Sequence, residues 1–396
     1  MKKEVFIASA MRTPIGSFGG VLAGLSATEL GSAAVKEAVI AAGIEQESID
    51  EAFFGNVISA NTGQAPARQV VRRAGLPEKI VCTTVNKVCA SGLKAVSLGA
   101  QSILLGDAGV VIAGGTESMS NAPFYLPKAR FGYGYGNGQL IDSLVRDGLQ
   151  DAYDQSAMGA CGDATALEYG ISRAEQDEYA LRSYARASEA WSKGWFDAEM
   201  IRIEVPQRKG SAVVVNSDEE YKKVNAEKVP LLKPAFSEGG TVTAANASTI
   251  NDGAAALILV SGDQVRGQGL RPLARIVAYA DAEQEPAKFT TTPVLATRKL
   301  LNKAGMSLGQ VDYFEVNEAF SVVALAYIRL LGLDDALVNV WGGAVSLGHP
   351  LGASGARILT TLLSVLRHNG GRYGVASICN GGGGATAVLV ENLVNG

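Results

Sequence analysis

The feature that most constrains this 396-residue chain is an internal repeat. Ala42-Gly43, at the end of one helical pattern, returns as Ala304-Gly305, an offset of 305 − 43 = 262 residues. Ala90-Ser91-Gly92 returns as Ala353-Ser354-Gly355, an offset of 353 − 90 = 263 residues. Matches in one order at nearly one offset indicate a duplicated unit. Two such units would place equivalent loops side by side across a pseudo-twofold axis, so that residues distant in sequence could share one pocket.

Short apolar runs alternate with helical patterns over residues 4–115, and the alternation resumes at about Asn251. This pattern predicts an α/β fold with a largely parallel sheet and helices on its faces. The intervening residues, 117–250, have a charged and mixed composition. A capping box at Ser172–Glu175 predicts a helix within this segment. We therefore expect two duplicated α/β halves packed in layers, with an inserted helix-rich loop domain. The expected bounds are 1–116 plus part of 251–275 for the N-terminal half, 117–250 for the insert and 276–396 for the C-terminal half.

Charge and cysteine usage narrow the class of protein. The net charge of −4 gives no indication of nucleic-acid binding or of attraction to a membrane surface. No apolar run is predicted to be long enough to span a bilayer. The four cysteines form no C-x-x-C pair and no metal-ligand spacing, which fits a reducing compartment, so we expect a cytoplasmic protein. These cysteines are Cys82, Cys89, Cys161 and Cys379.

Cys89 occupies the most informative position in the first half. It lies between an apolar run, Ile80–Val85, and a helical pattern of small residues that includes Leu93 and Ile103. The first free N–H groups of a helix favour a thiolate, which is the nucleophilic form of cysteine. The position therefore predicts a nucleophile, and the alternative is a small buried core residue.

Three polar segments of the second half fall where the repeat places counterparts of the Cys89 turn and its neighbouring strand ends. His349 is surrounded by glycines and lies just ahead of the helix equivalent to the one after Cys89. Cys379 ends a predicted buried strand and precedes Gly381–Gly384, whose N–H groups could form an oxyanion hole. Asn317 ends another predicted strand. The glycine run lacks the Lys-Ser/Thr of a phosphate loop, and it does not form a dinucleotide fingerprint.

Together these segments resemble the thiolase family. The motifs are N-K-V-C-A-S-G-L-K-A (86–95), V-N-E-A-F (316–320), G-G-A-V-S-L-G-H-P-L-G-A-S-G-A-R (342–357) and C-N-G-G-G-G (379–384), and G-T-V-T-A-A-N-A-S-T-I-N-D-G-A-A-A (240–256) belongs with them. The similarity covers essentially the whole chain and is greatest to the short-chain members of the family. It implies the thiolase fold and the reversible Claisen condensation of two acetyl-CoA molecules to acetoacetyl-CoA and CoA.

The resemblance also implies catalytic roles. Cys89 would take the acyl group after His349 accepts its proton, and Cys379 would exchange the α-proton of the second acetyl-CoA. The N–H groups of Cys89 and Gly381 would form one oxyanion hole, and His349 with a water held by Asn317 would form another. Two cysteines in different environments suit this chemistry, because one thiol can hardly serve as nucleophile and base together. Ping-pong kinetics would follow.

The resemblance implies that CoA is held by the insert and its junctions, and that no cofactor is permanently bound. It further implies a homotetramer, a dimer of dimers, and a potassium site at Tyr221 and Val345. Two departures from the family pattern bear on CoA: Ala157 stands where biosynthetic members usually have histidine, and Lys222 and Lys223 are the nearest matches to a phosphate-binding arginine. The predicted CoA contacts are Leu149, Met158, Lys223, Leu232, Phe236, Ala244, Ser248, Ala319 and Phe320.

Three alternatives bear on function. A broader-range degradative 3-ketoacyl-CoA thiolase remains open, because the insert rather than the motifs sets acyl chain length. A non-catalytic CoA-binding protein is disfavoured, since a binder has no reason to keep Cys89, His349 and Cys379 together. A ketoacyl synthase is disfavoured by the second cysteine after the last strand.

Overall fold

The computed structural model of the protein describes residues 3–207 and 209–394. Its strands are β1 (Val5–Arg12), β2 (Gly16–Ser17), β3 (Glu51–Gly55), β4 (Val81–Val85), β5 (Val110–Ser118), β6 (Phe124–Tyr125), β7 (Ile141–Asp142), β8 (Ile203–Val205), β9 (Val213–Val215), β10 (Asn251–Ser261), β11 (Ala274–Glu283), β12 (Tyr313–Val316), β13 (Tyr373–Asn380) and β14 (Gly384–Asn392). Its α-helices are α1 (Ala27–Ala42), α2 (Pro66–Arg73), α3 (Ser91–Leu105), α4 (Met158–Glu168), α5 (Arg173–Ser192), α6 (Gly262–Gln268), α7 (Thr292–Ala304), α8 (Ser321–Leu331), α9 (Ala344–Leu347) and α10 (Leu351–Asn369).

The large sheet contains the predicted duplication. Its strand order is β12-β13-β14-β11-β1-β10-β5-β3-β4, with β2 paired to β10. In the first half β3 runs parallel to β5 with Glu51 opposite Val111, and in the second half β12 runs parallel to β13 with Tyr313 opposite Gly374. These partners are related by 313 − 51 = 262 and 374 − 111 = 263 residues. The halves meet where β1 pairs with β11, so the expected two α/β units are confirmed.

The prediction of a largely parallel sheet is wrong. The sheet has three parallel strand pairings and six antiparallel ones. In the second half the chain reverses after Asn380 through Gly382 and Gly383, both at positive φ, and β14 returns antiparallel to β13. A fully buried strand carries the same apolar run in either direction, so the hydrophobic pattern could not distinguish the two.

Two helices of the first half have equivalents in the second half. The first equivalent pair, α1 and α7, ends at Gly43 and Gly305, which cap their helices with φ of 63° and 67°. The second pair, α3 and α10, is buried, and its two helices pack against each other. This central pair begins next to the Cys89 turn and next to His349, so the packing of two helix starts determines where the predicted catalytic residues lie.

One apolar stretch is long enough to span a bilayer, although the sequence analysis predicted none of that length. Val88–Leu105 has the length and mean hydropathy, 1.4, of a membrane-spanning helix. Sixty-one per cent of this stretch is buried inside the protein, because α3 packs against α10 and β5. The hydropathy of Val88–Leu105 is therefore explained by its place in the protein core.

Residues 119–250 connect β5 to β10. They carry α4, α5 and two small two-stranded sheets, β6-β7 and β8-β9. The capping box predicted at Ser172–Glu175 is present at the start of α5. A buried ion-pair cluster holds this segment to the large sheet, because the Arg12 guanidinium on β1 contacts Glu199 at 2.5 Å and Asp218 at 2.9 Å.

Candidate active site

Cys89 lies on a tight turn between β4 and α3. The preceding residue, Val88, has a φ of 46°, a left-handed conformation that costs free energy for a β-branched side chain. The Ser91 hydroxyl stabilises this turn by accepting a hydrogen bond from the Lys87 N–H at 2.8 Å and donating one to the Val88 carbonyl at 2.6 Å. The turn presents Cys89, half-buried, to a cavity.

This cavity has a volume of about 530 Å³ and brings together residues from both halves. Cys89 comes from the first half, and His349 and Gly381 come from the second. The backbone N–H groups of Gly381 and of Cys89 itself face the Cys89 sulfur. Cys379 is fully buried, and the proximity of Cys89 contributes to raising the pKa of the Cys379 thiol. Two thiols and one imidazole, separated by up to 290 residues (379 − 89 = 290), therefore meet at one place.

The expectation that the helix start makes Cys89 a thiolate is wrong for the free protein. Burial raises the pKa of Cys89 to about 12, and the nearby Glu117 charge contributes in the same direction. The N–H groups that face the sulfur oppose this shift but do not overcome the loss of solvation. Cys89 is therefore a thiol at neutral pH, and its nucleophilic form requires a base.

His349 is arranged to act as that base. Burial, assisted by the positive charge of Arg357, lowers the pKa of His349 to about 3, so the imidazole is neutral. Its Nδ1 lies 2.6 Å from the Ser354 Oγ, while its buried Nε2 has no hydrogen-bond partner among the described residues. The backbone N–H of His349 donates to Asn251 Oδ1 at 2.8 Å, which ties the base to β10.

Comparison with known proteins identifies the family of the chain. The sequence profile of the thiolase N-terminal domain matches residues 5–263, and that of the thiolase C-terminal domain matches residues 270–392. The chain belongs to the thiolase family. It is 54% identical over 391 residues to an acetyl-CoA acetyltransferase of Schizosaccharomyces pombe, and the match covers 98% of this chain and 99% of that protein. It is 51% identical over 390 residues to the cytosolic acetyl-CoA acetyltransferase of Gibberella zeae, with 98% of each chain covered.

A solved structure has the same fold. The crystal structure of a thiolase from Ascaris suum in complex with coenzyme A superposes with a TM-score of 0.95 at 48% identity. The match covers 99% of this chain and 100% of that one. The predicted thiolase fold is therefore confirmed.

The loop that carries Asn317 is held in place by the hydrogen bonds of the next residue, Glu318. The Glu318 carboxylate accepts hydrogen bonds from the hydroxyls of Tyr179 and Ser183, each at 2.8 Å, and from the Val345 N–H at 3.0 Å. Asn317 itself is fully buried, and neither its Oδ1 nor its Nδ2 has a partner among the described residues. Asn317 does not line the cavity, and the role that the resemblance implies for its amide, holding a water, stays a prediction.

Sequence reasoning missed Glu117, which links the two halves beside the site. Its buried carboxylate accepts hydrogen bonds from the N–H of Gly352 at 2.8 Å, of Val57 at 3.0 Å and of Ile58 at 3.1 Å. Burial raises its pKa to about 7 despite these bonds. Glu117 lies near the end of the buried strand β5, at the offset of Asn380 at the end of β13 (380 − 117 = 263), so the repeat offered a signal for it.

Eight of the nine predicted CoA contacts line the same cavity: Leu149, Met158, Lys223, Phe236, Ala244, Ser248, Ala319 and Phe320. Leu232 is not among the lining residues, and its carbonyl accepts a hydrogen bond from Arg173 at 2.9 Å. Lys223 lies at the cavity beside Ser17 and Glu220, whereas Lys222 donates to Ser217 at 2.8 Å. Of the two lysines, Lys223 is therefore the one that can meet an anionic ligand in this cavity.

The residues suggested for potassium also lie together. Tyr221 packs against the cluster that contains buried Val345, and its ring stacks on Trp191 with 5.8 Å between centroids. The neighbouring Glu220 carboxylate is buried. Hydroxyl, carboxylate and backbone carbonyl oxygens are ligands that hard cations take, so the types of oxygen present suit such an ion, and the potassium site stays a prediction. A bound cation would supply positive charge at this loop.

Proposed function

We propose that this thiolase is an acetyl-CoA C-acetyltransferase that reversibly condenses two acetyl-CoA molecules to acetoacetyl-CoA and CoA through an acetyl-Cys89 intermediate. The observation that carries the proposal is that Cys89, His349 and Gly381 line one cavity, with a second thiol beside Cys89. Among the described residues His349 Nε2 has no hydrogen-bond partner. The relatives' names support acetyl-CoA as the substrate.

In the first half-reaction the Cys89 sulfur attacks the thioester carbonyl while His349 Nε2 takes its proton. The S–C bond to Cys89 forms and the bond to the CoA sulfur breaks, and the imidazolium returns the proton to the departing CoA. Charge that develops on the carbonyl oxygen is met by the N–H groups of Cys89 and Gly381. Because Cys89 is a thiol and His349 is neutral at rest, proton transfer belongs to the same step as the attack.

In the second half-reaction the Cys379 proton passes to His349, and the resulting thiolate removes an α-proton from the second acetyl-CoA. Its strongly raised pKa makes this thiolate a strong base, which suits a weakly acidic C–H bond. The imidazolium and a water on Asn317 stabilise the enolate oxygen. The enolate carbon attacks the acetyl group and the bond to Cys89 breaks. Cys379 already carries the α-proton, so the one remaining transfer moves the imidazolium proton to the Cys89 sulfur.

The decisive experiment is to mix the protein with acetyl-CoA and to analyse the Cys89 peptide by mass spectrometry. We expect one acetyl group on Cys89, stoichiometric release of CoA and slower accumulation of acetoacetyl-CoA. The Cys89→Ser variant should show none of these. An unmodified wild-type Cys89, or an acetylated variant, would reject the proposal. Thiolysis rates on ketoacyl-CoA substrates of increasing length distinguish it from the broader-range degradative alternative, which predicts no decline with length.

We also propose that the protein acts in the cytoplasm as a homotetramer. The cytosolic designation of the Gibberella zeae relative supports the first part. The exposed aromatic side chains of Phe131 and Tyr135, on the glycine-rich loop after β6, support a contact between subunits. Light scattering on the purified protein should give four times the chain mass of 41.1 kDa, and a monomer would contradict the tetramer.

A further inference from the structure

The hydrogen bonding of Ser354 determines which nitrogen of His349 is available. The Ser354 Oγ lies 2.6 Å from His349 Nδ1 and 2.8 Å from the Pro350 carbonyl oxygen. A hydroxyl has a single hydrogen, and a carbonyl oxygen can only accept. With that hydrogen donated to Pro350, Oγ accepts from an N–H on Nδ1. The lone pair of the neutral imidazole is then on Nε2.

The two sides of the imidazole have different surroundings. His349 lines the cavity, whereas Ser354 does not, so Nδ1 points to the interior of the protein. Both side chains are buried, with 5% of His349 and 1% of Ser354 exposed, so water does not replace this contact. Because burial and the Arg357 charge keep the imidazole neutral, its tautomer depends on the hydrogen-bond partner of Nδ1.

We propose that Ser354 is a positioning residue that holds His349 in the tautomer and orientation needed to deprotonate Cys89. The proposal rests on the proposed acetyl transfer through Cys89 and adds a residue to it. Ser354 does not touch the substrate. Its contribution is to the rate at which Cys89 is deprotonated and not to the binding of CoA.

The internal repeat provides independent support. Ser91 occupies the equivalent position in the first half, at an offset of 354 − 91 = 263 residues. Its Oγ also accepts one hydrogen bond and donates another, to the backbone that carries Cys89. Equivalent serines therefore hold the turn that carries Cys89 in the first half and the imidazole of His349 in the second half. This pairing explains why A-S-G occurs at the start of both buried helices.

The test compares Ser354→Ala with a matched control, Ser97→Ala. Ser97 is equally buried, lies on α3 and makes the same type of bond to the carbonyl four residues before it, at 3.2 Å. Single-turnover acetylation of Cys89 is followed by quenching and mass spectrometry at several acetyl-CoA concentrations. Alkylation of Cys89 by iodoacetamide provides a second measurement that needs no acetyl transfer. Thermal melting reports on the fold.

We expect the acetylation rate of Ser354→Ala to fall by about 10²-fold, the lower end of what a general base contributes. The concentration that gives half-saturation should stay unchanged, and alkylation at pH 7 should slow in parallel. Ser354→Thr, which keeps a hydroxyl, should recover most of the rate. Ser97→Ala should behave as the wild type. If the alanine variant melts below the assay temperature, Ser354→Cys supplies the same comparison, because its sulfur is a weak acceptor of similar size.

Acetylation and alkylation of Ser354→Ala within about twofold of the Ser97→Ala values would overturn the role of Ser354. So would a loss confined to the half-saturation concentration. A wild-type protein that is not acetylated at all would reject the proposed function instead, and the alkylation rates would then decide the role of Ser354 by themselves.

Discussion

Gly92 and Gly355, equivalent residues of the two halves, both lie where the central helices α3 and α10 approach each other closely. A Cβ on Gly92 would lie 2.8 Å from the Ala356 nitrogen, and a Cβ on Gly355 would lie 2.4 Å from the Leu93 nitrogen. Each glycine thus lies against the backbone of the opposite helix. This contact brings the start of α3, next to Cys89, close to the start of α10, next to His349.

Gly355→Ala should therefore affect both stability and activity. The added methyl group would meet backbone, which cannot move aside, so we expect the free energy of unfolding to fall by at least about 1–3 kcal/mol. The acetylation rate of Cys89 should fall as well. Gly267→Ala is the control, because a Cβ there has no atom within 4 Å. Urea denaturation of both variants checks the prediction, and equal stability would contradict the close contact.

Cys379→Ser should separate the two half-reactions. A serine hydroxyl is far less acidic than a thiol, so it cannot supply the base for the α-proton. We expect acetylation of Cys89 to survive while formation of acetoacetyl-CoA is lost. Cys161→Ser, also buried and packed in the same apolar cluster, is the control. Normal condensation by Cys379→Ser would refute the assignment of Cys379 as base.

Asn317→Ala should lower kcat for condensation by about 10²–10³-fold, the usual effect of losing one oxyanion donor. The physical reason is the loss of the unpartnered amide that would hold a water at the enolate oxygen. Because Asn317 does not line the cavity, the KM for acetyl-CoA should change little. Steady-state kinetics provide the measurement. A variant affected only in KM would show that Asn317 contributes to binding.

Glu117 should make stability depend on pH. Its pKa is raised from 4.5 to about 7 in the folded protein, mainly by burial, so the folded state keeps the proton to higher pH than the unfolded chain does. Stability from this group is therefore lost as pH rises from about 4.5 to about 7, by about 3 kcal/mol. Glu117→Gln removes the titration. The difference in unfolding free energy between wild type and variant should shift by that amount between pH 4 and 8, and a constant difference would contradict it.

Potassium should activate the enzyme if Tyr221 and Val345 help to hold the ion. We expect the condensation rate to rise when potassium replaces sodium at constant ionic strength. Tyr221→Phe removes one oxygen ligand and should abolish the difference between the two salts. Equal rates of the wild type in both salts would contradict the potassium site.

Much of the fold followed from local sequence signals. The helix stops at Gly43 and Gly305 and the capping box at Ser172 depend on a few neighbouring residues, so they could be predicted without tertiary contacts. The duplication was visible as a repeat. The direction of β14 could not be predicted, because an apolar run reads the same in both directions. The reversal at Gly382 and Gly383 sets the direction of this strand.

The candidate site was predicted in part. The meeting of Cys89 with His349 and Gly381 followed from the repeat and the motifs, and all three line one cavity. Leu232 does not line this cavity, and its contact with CoA stays a prediction. Glu117 was overlooked, since a single acidic residue near the end of a buried strand has no local pattern.

By itself, the sequence determined that this protein is built from two related halves and which side chains stand at their helix starts. Only the tertiary structure decided the chemical state of those side chains. Cys89 is a thiol because the surrounding elements remove water from the sulfur, and the lone pair of His349 is on Nε2 because Ser354 accepts the hydrogen bond of Nδ1. The protonation state of each side chain depends on desolvation and hydrogen bonds contributed by residues from the whole chain. No local stretch of sequence contains all of these residues.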